Sequence, residues 1–112
     1  MMSFRFRFRS PQRDKGTDQL RLSSIRQAVR SAISSADSEF NGLQARLENA
    51  RQAAASLLGN DVDGSDREPA HEAELRNAEE RLLATERRIR QLKGHVVALR
   101  KIEDLVGFEL KS

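Results

Sequence analysis

Two stretches of this sequence carry apolar or small residues at alternating steps of three and four, and the two sets can be laid head to tail against one another without a break. The later set is Ala78, Leu82, Thr85, Ile89, Leu92, Val96 and Leu99, and the earlier one is Val29, Ile33, Ala36, Phe40, Leu43, Leu47, Ala50, Ala54 and Leu57. A three-four period marks a helix that buries one stripe against another helix. With Leu57 set opposite Leu75, the residue numbers of every facing pair sum to 132, so Leu43 meets Ile89, Phe40 meets Leu92 and Ala36 meets Val96. Large side chains repeatedly face small ones, Ala50 against Leu82 and Leu47 against Thr85, which lets two helices interdigitate without voids. The fold expected is all-α: a long antiparallel two-helix coiled-coil hairpin, with helices over about residues 18–58 and 69–106.

Composition agrees with that pattern. Ala, Glu, Lys, Leu and Arg make up half of the 112 residues, a proportion typical of coiled coils. Trp and Tyr are absent and there are five Phe, so a globular enzyme with a deep pocket is not expected. The absence of cysteine excludes a disulfide framework and a thiolate metal site. No apolar run is long enough to cross a membrane. The basic N-terminus lacks the apolar segment of a secretory signal, so a cytoplasmic location is expected.

The formal charge of +3 is concentrated at one end, where residues 1–15 hold five basic residues and one acidic one. Phe4, Arg5, Phe6, Arg7, Phe8 and Arg9 alternate strictly, which in an extended chain places the rings on one face and the guanidinium groups on the other. Residues 1–16 are therefore read as a basic Phe/Arg arm, broken from the rest at Ser10-Pro11, and flexible or ordered on a partner. A protein is the preferred partner. Nucleic acid or an anionic membrane surface ranks lower, because each requires more basic surface than one short arm provides.

Residues 17–112 form the expected hairpin, with an acidic turn at 59–69. Thr17-Asp18 can cap the first helix, and Gly59-Asn60 offers a left-handed residue to close it. Gly42 falls mid-helix away from the seam and reads as a tolerated exposed glycine, and Gly107 marks the expected stop of the second helix. In the turn, Asp61, Asp63 and Ser65 with Glu72 imitate part of a calcium loop, but the turn glycine is misplaced and Pro69 interrupts it. His71-Glu72 lacks the second His of a zinc-protease helix, since Leu75 occupies that position. Neither catalytic residues, nor a metal, nor a cofactor, nor a small-molecule substrate is expected.

The end of the hairpin near the termini departs from the regular middle. The register places Arg26 opposite Val106 and Val29 opposite Glu103, so an Arg26–Glu103 ion pair across the seam is expected to satisfy both charges. A second apolar stripe lies off the seam: Ile25, Ala28 and Ala32 on the first helix, and Ala98, Ile102, Leu105 and Phe108 on the second. Two helices cannot bury two stripes each, and the simplest cover is a second copy, giving a dimeric four-helix bundle. The function expected is that of a non-enzymatic structural or adaptor protein, mediating protein–protein assembly through the hairpin and the arm. Two alternatives stand beside it: a small export-type chaperone holding an amphipathic partner helix on the stripe, and nucleic-acid or membrane association through the arm.

Overall fold

The computed structural model describes residues 10–59 and 69–112, and all of these except Ser10 and Ser112 are α-helical. Helix α1 spans Pro11–Gly59, 49 residues, and helix α2 spans Pro69–Lys111, 43 residues. The two long helices are as the apolar period predicts, although each runs further than expected.

Helix α1 begins seven residues before the predicted start, so residues 11–16 belong to the helix and not to the arm. Ser10 is the cap: its Oγ accepts from the Arg13 amide at 3.4 Å and its carbonyl accepts from the Asp14 amide at 3.0 Å. Pro11 follows at the first helical position, where its missing N–H leaves nothing unsatisfied and its fixed φ suits the helix. Thr17 does not cap. Its hydroxyl donates to the Arg13 carbonyl at 3.0 Å, and Asp18 accepts from Arg21 at 3.2 Å, both one turn away within the helix. Gly42 sits in unbroken helix with nothing within 4 Å of where a Cβ would stand, as expected of an exposed glycine. Gly59 is the last helical residue, and its φ lies outside the left-handed range.

Helix α2 passes through Gly107 and ends at Lys111. A helical glycine costs about 1 kcal/mol relative to alanine. Leu110, half-buried and one turn beyond the buried Val106, continues the seam across it. The end is closed by Ser112, whose amide donates to the Glu109 carbonyl at 3.2 Å and whose hydroxyl donates to the Phe108 carbonyl at 3.4 Å.

The chain divides into two compact units. The first, here the core unit, is Ser35–Val96. Ala36, Leu43, Leu47, Ile89 and Leu92 form its buried cluster, with Phe40, Leu82 and Val96 packed against them. The layers Leu43/Ile89, Phe40/Leu92 and Ala36/Val96 all fall within that cluster, as the antiparallel register requires. Burying each large aliphatic side chain contributes about 1.5–3 kcal/mol relative to leaving it exposed.

The second unit, here the terminal unit, joins the start of α1, up to Ser34, to Val97–Ser112. Val29 and Val106 are its buried residues among those described, and Leu22, Ile33, Leu99 and Leu110 are half-buried along the same three-four period. Arg26 and Glu103 occupy the remaining seam positions, also half-buried.

Candidate assembly surface

The residues that flank the seam decide what each unit can do. In an antiparallel pair, the positions just before each first seam residue face one another across the contact. Under the register described above, the numbers of these facing residues sum to 127, giving Glu39 with Arg88, Arg46 with Arg81, and Ile25 with Ile102.

In the core unit, these positions are ionised. Arg88 donates from Nε to Glu39 Oε2 at 2.7 Å and from a terminal nitrogen to Oε1 at 3.0 Å, the two-pronged geometry that a guanidinium offers a carboxylate. That hydrogen bonding holds the Glu39 carboxyl below its ordinary range despite some desolvation, with the charges of Arg88, Arg46 and His95 adding to the effect. The same contact raises the Arg88 guanidinium above its ordinary value. Arg46 and Arg81 line an open groove of about 490 Å³ over Ala50, Ala53 and Thr85, where two cations converge above small side chains. Sequence reading missed both features, although the spacing that sets Glu39 against Arg88 follows directly from the register. Lys93 places its ammonium 5.8 Å from the Phe40 ring centre, on the other flank of the seam.

In the terminal unit, the corresponding pair Ile25/Ile102 is aliphatic and adjoins the apolar Leu105 and Phe108, while Asp18 and Glu109 take the facing positions nearest the termini. Ile25 is 48% exposed, Ile102 43%, Leu105 67% and Phe108 69%. Ala28 and Ala98 are exposed beside them and Ala32 is half-buried. The seven residues predicted to form a second stripe therefore lie in one unit, and all except Ala32 are open to solvent. The other flank of this unit is polar: Arg30, Arg100, Glu103 and Asp104 line a shallow groove with Ile33.

The predicted Arg26–Glu103 pair is not what forms. Glu103 instead accepts from Arg30 Nε at 3.0 Å. Arg30 stands four residues after Arg26 and reaches in from the solvent side of the seam, where its guanidinium stays hydrated while it meets the carboxylate. Arg26 keeps its Nε buried without a hydrogen-bond partner among the described residues.

Phe4, Arg5, Phe6, Arg7, Phe8 and Arg9, the predicted partner-binding arm, lie outside the described residues, as do residues 60–68 of the predicted acidic turn. Among the described residues, no helix is long and apolar enough to cross a membrane, and no group of three or more His, Asp or Glu is placed to hold a metal ion. No protein-family model matches the chain, and neither a curated protein nor a solved structure matches it.

Proposed function

We propose that this chain is a non-enzymatic, cytoplasmic structural or adaptor protein whose helices present the apolar side of the terminal unit for protein–protein assembly. The Phe/Arg arm is a second contact element for a protein partner. The observation that carries this reading is the change in side-chain chemistry at equivalent positions. The facing pair Glu39/Arg88 of the core unit is ionised and hydrogen-bonded, whereas the facing pair Ile25/Ile102 of the terminal unit is aliphatic and open, beside Leu105 and Phe108, which are about two-thirds exposed. Contiguous exposed apolar side chains of this kind mark interaction surfaces.

The test is the solution mass across a concentration series, by light scattering or equilibrium sedimentation. Self-assembly at tens of micromolar gives more than the 12.7 kDa of one chain. Ile102→Ser combined with Phe108→Ser is expected to return it to the monomer mass with helicity retained. A chain that stays at 12.7 kDa throughout, with or without those changes, refutes assembly through this face by the chain itself.

A further inference from the structure

The exposed face of α2 in the terminal unit has an order along it as well as a chemistry. Lys101, Leu105 and Glu109 are spaced by four and therefore lie in one row along the helix, all three exposed. Ile102 and Phe108 stand on either side of Leu105 at three-residue steps, 43% and 69% exposed. Read forward, the row is cation, apolar, anion; read backward, it is anion, apolar, cation. Rows of i±4 spacing are those that two helices lay together when they cross at about 50°, the commonest packing of helices in globular proteins.

We infer that the occupant of this face is a second copy of the same chain, its α2 running antiparallel about a twofold axis near Leu105. The axis lays Leu105 against its symmetry mate, sets Lys101 beside Glu109 of the second copy and Glu109 beside its Lys101, and covers Ile102 and Phe108 of both. A parallel copy would set like charges together at both ends of the row, so the charges select the direction. The contact is isologous and closes on itself, so it yields a dimer and not a fibre. Ile25 faces Ile102 in the register, so Ile25, Ala28 and Ala32 extend the apolar edge of the contact onto α1.

This inference rests on the assembly reading above and narrows it to one partner and one geometry. Its test exchanges the charges in the full chain, with dimer dissociation constants measured by equilibrium sedimentation at low salt and helicity followed by circular dichroism. Lys101→Glu alone and Glu109→Lys alone each replace two attractions with two repulsions, and each is expected to weaken the dimer by about tenfold or more. The double exchange recreates both pairs with reversed sign, and is expected to restore the affinity to within about threefold of the parent. An independent readout uses the lack of native cysteine. Leu105→Cys, oxidised at high concentration, should give a covalent dimer, whereas Val97→Cys, two turns from the axis, should not. A dimer indifferent to the single exchanges, or one in which the double exchange compounds the losses, overturns this geometry while leaving assembly through the terminal unit standing. A chain that is monomeric throughout overturns both.

Discussion

The core and terminal units are built on one apolar period, but they distribute charge in opposite ways. In the core unit the seam is aliphatic, with Leu92 only 3% exposed, and the flank carries the Glu39–Arg88 pair. In the terminal unit the seam itself holds Arg26 and Glu103, and the flank holds Ile25, Ala32 and Ile102. A pair of helices with charges on its seam gains less from its own contact, and one with aliphatic flanks leaves apolar surface for something else to cover. The difference separates a part whose aliphatic side chains are buried in its own contact from a part that leaves several of them open to solvent.

Placing the same charge in each seam is the most forceful way to break this comparison. Leu92→Glu buries a carboxylate in the aliphatic cluster with no counter-charge, at a cost of about 3–5 kcal/mol. That approaches the whole stability of a small domain, about 5–15 kcal/mol. Most helicity at 25 °C should be lost, and circular dichroism showing the parent melting temperature would mean that the seam does not hold the core unit together. Val106→Glu makes the same change at a residue that is also buried, but one that the register places opposite Arg26, whose Nε has no partner among the described residues. The new carboxylate meets a waiting guanidinium, so the variant should keep its helices and melt well above Leu92→Glu, the difference being about 1–3 kcal/mol. Equal losses from the two variants would show that Arg26 cannot turn toward position 106, and the proposed contrast between the seams would fail.

The fold was legible because a heptad seam is a one-dimensional code. Leu43, Leu47, Ile89 and Leu92 announce their burial by spacing alone, and the antiparallel register follows from matching large residues to small ones. The helix ends were less legible because local signals compete there. Ser10-Pro11 reads equally as the break after an extended arm and as a cap with proline at the first helical position, and only the hydrogen bonds to Arg13 and Asp14 decide. Gly107 is a common stop signal, overridden here by the continuation of the seam to Leu110, a tertiary contribution that local propensity does not contain. The choice of Arg30 over Arg26 was out of reach for a related reason. Spacing places both arginines near Glu103, and the balance between hydration and attraction selects the one that approaches from solvent. The apolar stripe was legible as a pattern, and its exposure needed the structure.

The smallest expected effect concerns the ionised flank of the core unit, and it can be separated from the rest by pH. Arg88 lowers the folded-state pKa of Glu39, so the pair stabilises the fold fully above the unfolded carboxylate value of about 4.3. The contribution fades as the pH falls through the lower folded value, where Glu39 takes up its proton, and it is absent below that. Glu39→Gln should therefore lower the melting temperature slightly at neutral pH and by less as the solution becomes strongly acidic, with Arg88→Ala following the same course. The loss is small because both side chains are more than two-fifths exposed, at 41% and 43%, and water screens them. Added salt should shrink it further. A neutral-pH loss that persists unchanged at pH 2 would assign the effect of Glu39→Gln to packing instead of charge. The flank of the core unit would then owe nothing to ionisation, and the aliphatic flank of the terminal unit would have to be explained without that contrast.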